Sequence, residues 1–403
     1  MKRRRVKITG IGFVTPAGIG KEAFTNGILS GKSFVVPVTR FDPAAGLFVA
    51  AEILDFSLKN YLPELAKLRL PRHTQFALAA AKLAIGDAHL ALSEVRLASP
   101  LIVIGASLMD HDMMNRTIGN VAKRGPRFAL MRAVYHGPVS SIAGEVAKWI
   151  DGGRTLSLQS ACCAGSDAIG HAAAMVANGE SDLAICGGTE APIYYHPMLE
   201  LKMAGLSPDS AERPQQLGRP FDMWRTTGVI GEGACMLILE PESSPRPGYA
   251  FISGYAFASD PGTRPGEGLR EASQLCLANA NLKRTEIDHV SAWGPGHREI
   301  DRVESMVLRE VFGERIDTIP VTSIKGAIGN PLGAAGAIQA GCAALCLSDS
   351  FVPPTVNWQF PDPDCRLNLS GNTRFCEIRT ALLNSHGLSG TNSCLAFSRC
   401  DWI

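Results

Sequence analysis

TLSLQSACCAGSDAIGHAAAMVAN, residues 155–178, reads as a short strand over 155–158, a polar turn, and a helix of small residues from about Cys162 to Asn178. The layout recurs in IPVTSIKGAIGNPLGAAGAIQAGCAALCL, residues 319–347. There a strand over 319–323 leads through Lys325 and Gly329 into an Ala/Gly-rich helix over 332–347. A helix of small residues can be approached closely on all sides, so both helices are expected at the centre of the molecule. One recurrence at about half the chain length points to duplication rather than to a solenoid, whose repeats run roughly 20–50 residues.

Outward from these segments, strands are expected at 6–11, 101–104 and 182–186, the last ending in Gly187-Gly188. Residues 74–88 (TQFALAAAKLAIGDA) have helical apolar spacing and high Ala content. The second half offers strands at 249–255 and 289–292 and a helix at 273–280. Alternating strands and helices give an α/β class. We divide the chain into halves at 1–245, carrying the 155–178 segment, and 246–403.

A length of 403 residues, 46% hydrophobic and 19% charged, fits two domains or one large duplicated one at roughly 100–200 residues each. Lys+Arg (39) and Asp+Glu (38) nearly balance, which weighs against a chain-wide nucleic-acid or polybasic membrane binder. The 11 cysteines sit largely in apolar runs, and no CxxC spacing with histidines suggests zinc. The basic N-terminus is followed by Thr9, Gly10, Gly12 and Pro16, which break the apolar stretch of a signal peptide. The most apolar run, 332–347, is too short and mixed to span a bilayer. A reducing cytoplasm is the expected setting, with no membrane or nucleic-acid partner, no metal and no cofactor.

Cys162 lies at the strand-to-helix junction of the opening segment. A helix N-terminus favours thiolate, so a lowered thiol pKa is expected there. Backbone N–H groups close by could stabilise an oxyanion. By local chemistry alone, a cysteine at a helix start is more often structural than catalytic.

The surrounding blocks resemble those of the β-ketoacyl-acyl carrier protein synthase (ketosynthase) family of the thiolase-like superfamily. The resemblance runs from ITGIGFVTPAGIG (8–20) through SACCAGSDAIGHAA (160–173), GRPFD (218–222), GVIGEGACMLILE (228–240), VTSIKGAIGNPLGAAGA (321–337) and VPPTVN (352–357) to NSHGLSGTNSCLAF (384–397). It implies a thiolase-like five-layered αβαβα fold made of two duplicated halves, normally dimeric. It also puts Cys162 at the active-cysteine position and Lys325 at the family lysine, with Glu304 as the lysine's ion-pair partner.

Two positions depart from the family. Its first histidine belongs to an AHGTST block, which here reads Ala292-Trp293-Gly294-Pro295-Gly296-His297. Its second belongs to a GHxxGAAG block, which here reads Gly329-Asn330-Pro331-Leu332-Gly333-Ala334-Ala335-Gly336. Trp293 and Asn330 therefore stand where the resemblance implies imidazoles that assist malonyl decarboxylation and stabilise the oxyanion. Neither replacement can shuttle a proton. His297 and His386 are candidates to compensate, each with a structural role as the alternative. Leu388 replaces the gating phenylalanine.

Two readings follow. In the first, Cys162 accepts an acyl chain from acyl carrier protein or coenzyme A and passes it to a malonyl-derived carbanion or another nucleophile, with decarboxylative condensation impaired or altered. In the second, the chain is a non-catalytic subunit like a chain length factor, pairing with a competent ketosynthase. The partners expected are an acyl carrier protein and a second subunit, as homodimer or heterodimer. Lys67, Arg69 and Arg72 form one basic cluster, and Lys123, Arg124, Arg127 and Arg132 the one favoured for carrier-protein docking.

Overall fold

The structure, a computed structural model, describes residues 3–42 and 47–401. Ten strands make one continuous sheet path: β1 (Val6–Thr15), β2 (Leu101–Gly105), β3 (Arg154–Leu158), β4 (Ala184–Glu190), β5 (Gly233–Pro241), β6 (Ala250–Ser259), β7 (His289–Ser291), β8 (Val321–Thr322), β9 (Thr380–His386) and β10 (Thr391–Arg399). The spatial order is β8-β7-β9-β10-β6-β1-β5-β4-β2-β3. From the seam where β1 and β6 pair antiparallel, the two arms read β1-β5-β4-β2-β3 and β6-β10-β9-β7-β8. In each arm the first two pairings are antiparallel and the last two parallel. Matching order and direction make the arms duplicates, as the repeated segment predicts.

The helices complete five layers. Among the described residues these include α1 (Arg72–Asp87), α2 (His111–Arg124), α3 (Met131–His136), α4 (Ser140–Ile150), α5 (Ala164–Ala177), α6 (Glu267–Ala280), α7 (Arg298–Phe312), α8 (Lys325–Ile328) and α9 (Ala335–Asp349), alongside the helices Lys21–Leu29, Leu92–Ala98 and Tyr195–Met203. Helices α1 and α4 cover the outer face of the first arm, and α6 with α7 the outer face of the second. The small-residue helices α5 and α9 lie between the arms and against each other. The segment Leu332–Asp349 is long and apolar enough to cross a bilayer, yet 89% of it is buried in this central layer.

Small side chains set these spacings. A Cβ on Gly12 would sit 2.0 Å from the Ala80 carbonyl oxygen, so β1 meets the alanine face of α1 only through glycine. A Cβ on Gly336 would lie 1.9 Å from Ser166 Oγ and 2.9 Å from Ser385 Oγ, two hydroxyls joined in a buried hydrogen bond of 2.6 Å. Gly336→Val must therefore push α5 and α9 apart or break that bond. We expect it to cost about 3 kcal/mol or more, checked by the denaturant midpoint of the purified variant.

Several boundaries differ from the sequence expectation: β1 runs on to Thr15, β6 to Ser259, and α6 begins at Glu267. The central helix starts at Ala164, so Cys162 precedes it. Strand β4 does not stop at Gly187-Gly188 but runs to Glu190, because those glycines let the strand lie against β5 and α5 without a side chain between. The second central helix begins as a 3₁₀ turn, Leu332–Ala334, and continues to Asp349.

Candidate active site

Strand β3 ends at Leu158, and the chain then bends sharply. Ala161 takes a left-handed φ of 49°, a conformation costing about 1–2 kcal/mol for a residue with a Cβ. The bend is held by Asp167 in the first turn of α5, which accepts from the Ser160 hydroxyl and, at 2.9 Å, from Tyr255. Cys162 is thereby set just before the helix. The backbone N–H groups of Cys162 and Leu388 face its sulfur. Backbone N–H groups beside the sulfur favour its thiolate, and donors of this kind are what the oxyanion of an attacked thioester requires.

The thiol is not lowered as the junction led us to expect. Burial pushes it up to about 12, and the Glu190 carboxylate adds to the rise. The Lys325 ammonium and the two N–H groups pull the other way without reversing it. The sulfur is only slightly exposed, and its desolvation outweighs the helix terminus. Cys163 caps α5 and is turned away, its thiol donating to the Thr391 carbonyl at 3.4 Å.

A narrow cavity of ≈ 20 Å³ brings together Cys162, Trp293, Asn330, His386 and Leu388, with His297 also on its wall. Of the sequence-nominated residues, these six converge. Trp293 is buried, and its backbone N–H donates to Glu304 at 2.7 Å. Asn330 reaches the cavity with a buried Oδ1 that has no hydrogen-bond partner among the described residues. His297 is committed to structure: its Nδ1 accepts the Ile300 N–H at 3.4 Å and caps α7. Leu388 is 61% exposed at the mouth.

Lys325 is buried beneath the cavity wall, and its surroundings correct the expected ion pair. Its ammonium donates to the Trp293 carbonyl at 2.6 Å and to Gln339 Oε1 at 2.9 Å, and lies 3.8 Å from the centre of the Trp293 ring. Glu304 instead accepts from the Trp293 and Gly294 N–H groups and from Asn384. Burial lowers the Lys325 amine to about 7 against the pull of Glu304. The lysine thus anchors the Trp293 loop from within α8.

Two supports were missed. Glu190, at the end of β4, is buried and accepts from the Ser107 N–H and hydroxyl, the Leu108 N–H and the Gly333 N–H. It ties the first arm to the start of α9, and burial raises it to about 7. An acid directly after a buried strand, in GGTE, was the available signal. Gln339 stood out only as a polar residue in an apolar run, and that was the trace of its bond to Lys325.

The basic residues divide. Lys123, Arg124 and Arg127 are exposed, the two arginines lying over the Phe128 ring. Arg132 is half-buried and shares a 440 Å³ groove with Arg69 of the other cluster. Arg72 is not a free surface charge: it forms a two-pronged ion pair with fully buried Glu232.

Comparison with known proteins bears on this arrangement. Residues 3–244 match the family model "Beta-ketoacyl synthase, N-terminal domain", and residues 249–359 match "Beta-ketoacyl synthase, C-terminal domain". The 3-oxoacyl-[acyl-carrier-protein] synthase 2 of Coxiella burnetii is 31% identical, covering 99% of each chain. The tetracenomycin polyketide synthase ketoacyl synthase alpha subunit of Streptomyces glaucescens is 30% identical over 98% of this chain and 97% of its own. Among solved structures, the ishigamide ketosynthase/chain length factor superposes with a TM-score of 0.90 at 28% identity, over 98% of this chain and 99% of that one. A type II polyketide synthase acyl-carrier protein in complex with its ketosynthase bound to the hexaketide gives 0.89 at 28% identity and the same coverage.

Proposed function

The chain belongs to the β-ketoacyl synthase family of fatty acid and polyketide synthesis, and from that premise we propose that it carries an acyl group as a thioester on Cys162 and does not by itself perform ordinary decarboxylative condensation. The observation that carries this reading is the shared cavity. Cys162 and its two N–H donors are kept, while the side chains beside them are an indole and a carboxamide. A thiolate and an oxyanion hole suffice for acyl transfer. Decarboxylation also demands groups that stabilise a developing carbanion, and the indole of Trp293, whose backbone is held by Lys325 and Glu304, has no basic nitrogen to share in it. The test is intact-mass spectrometry after incubation with acyl-carrier-protein thioesters of several lengths. A covalent adduct supports the reading, and none at any length refutes it.

The second reading is a subunit that pairs with a competent ketosynthase. It is favoured by strand β3, whose outer edge is open and partly exposed, with exposed Met131, Val134 and Tyr135 on α3. An open strand edge flanked by apolar side chains is suited to a partner subunit. Co-purification with a ketosynthase whose cysteine and two histidines are intact would favour it over the first.

An acyl carrier protein is acidic and needs a local basic patch on a near-neutral chain. We place that patch at Lys123, Arg124 and Arg127, with Arg132 at its edge. Reversing Arg124 and Arg127 to glutamate is expected to weaken carrier-protein binding about tenfold at low salt. The binding that remains should be less salt-sensitive, and iodoacetamide labelling of Cys162 unchanged. Titration by fluorescence anisotropy at two salt concentrations checks this. Parental affinity in the double variant would move the docking surface elsewhere.

A further inference from the structure

His386 ends β9 and lines the cavity with Cys162. Its Nδ1 lies 2.7 Å from Asn392 Oδ1. The Asn392 amide is itself oriented, because its Nδ2 donates to the Gly390 carbonyl at 3.0 Å and to Asp260 Oδ1 at 3.3 Å. Both of those partners only accept, so the amide oxygen must face the histidine. An amide oxygen carries no proton, so Nδ1 is the protonated nitrogen and Nε2 holds the lone pair. Asp260 is fixed in turn by the Gly268 N–H at 2.8 Å.

The loop that carries His386 is tied to the nucleophile. Gly387 N–H donates to the Thr391 carbonyl, the same carbonyl that accepts from Cys163. A Cβ on Gly387 would stand 3.1 Å from Ala161 Cβ and 3.5 Å from the Cys162 nitrogen. A cysteine and an imidazole of fixed tautomer line one cavity, and an asparagine fixes that imidazole, the composition of the nucleophile, base and orienter sets known on unrelated folds. The charged and titratable groups around the set are Lys325 and Glu190 beside the sulfur, His297 across the cavity, and Asp260 behind Asn392.

Resting on the acyl-thioester reading above, we propose that His386 is the proton acceptor for Cys162 and that the acyl group passes to a protic nucleophile, an alcohol or an amine, rather than to a carbanion. In the first half-reaction the thiol proton moves to Nε2 and sulfur attacks the donor thioester carbonyl. The new S–C bond forms, the donor's S–C bond breaks, and the leaving thiolate takes the proton from the imidazolium. In the second, Nε2 takes the proton of the acceptor O–H or N–H, and oxygen or nitrogen bonds to the acyl carbon. The Cys162 S–C bond breaks and its thiolate recovers the proton. No carbon dioxide is released and no redox partner is needed. A protic acceptor is the one class for which a base is the missing part, since a carbanion has no such proton to give up. Asn392 acts through His386 and is a positioning residue.

The test measures the rate of Cys162 alkylation by iodoacetamide, which needs no acyl donor, alongside acylation by an acyl thioester and release to ethanolamine as the protic probe. His386→Ala and His386→Gln are expected to slow alkylation and acylation by roughly 10²-fold or more. Added imidazole should restore much of the rate to the alanine variant, an effect a structural role would not produce. Asn392→Ala should slow both about tenfold without rescue. Wild-type rates in both His386 variants, or an alanine variant that imidazole does not rescue, overturn the base assignment. If alkylation depends on His386 but no thioester acylates Cys162, the base stands and the acyl-thioester reading falls. If acyl-Cys162 forms and only malonyl-carrier protein discharges it, the protic acceptor is overturned.

Discussion

Cys162→Ser is expected to abolish the covalent mass adduct left by acyl thioesters, whereas Cys163→Ser keeps it. The two thiols are neighbours in sequence but not in environment. Cys162 opens onto the cavity, with its own N–H and that of Leu388 aimed at the sulfur. Cys163 is 1% exposed and bonded to the Thr391 carbonyl. A serine hydroxyl ionises far less readily than a thiol and gains no comparable activation from the same N–H pair. A fall of at least about 10³-fold in adduct formation is therefore expected, near the detection limit of intact-mass measurement. Peptide mapping after iodoacetamide gives an independent check: label on Cys162 before Cys163 is the expected order, and the reverse order would contradict the assignment.

The second large effect is a gain. Trp293→His combined with Asn330→His is expected to confer decarboxylation of malonyl-acyl carrier protein, read as carbon dioxide release, at least about 10²-fold above the parent. Both positions line the cavity with Cys162. Asn330 Oδ1 is buried without a partner among the described residues, so a polar ring nitrogen there breaks no bond seen among them. Lys325 is bonded to the Trp293 carbonyl, not to its side chain alone, so the loop keeps its anchor when the indole is removed. Each single variant should stay near the parental level, because residues that act as a unit are strongly non-additive. Full activity from Asn330→His alone would show that Trp293 does not block the reaction.

The repeated strand, turn and small-residue helix determine the class and the duplication from sequence alone. Close backbone approach admits only glycine, alanine and serine, and that demand is written directly into residues 160–178 and 321–347. Cys162, Trp293, Asn330 and Leu388 were legible for a related reason: each sits inside a block whose order along the chain identifies it. The tertiary structure decided what depends on distance between separate segments. The Cys162 thiol is raised because burial outweighs the N–H groups and the lysine, and burial is a property of the packed cavity rather than of the helix terminus. Lys325 meets Gln339 and the Trp293 carbonyl, not Glu304, because α7 turns Glu304 toward the N–H groups of the 293–294 loop. Arg72 reads as surface charge in sequence, yet Glu232, 160 residues away, takes it inside. The His386, Asn392 and Asp260 relay joins a turn to a distant strand end. Local sequence sets backbone preference and side-chain type. Which polar group loses water, and which partner replaces that water, is settled only when the two arms close around α5 and α9.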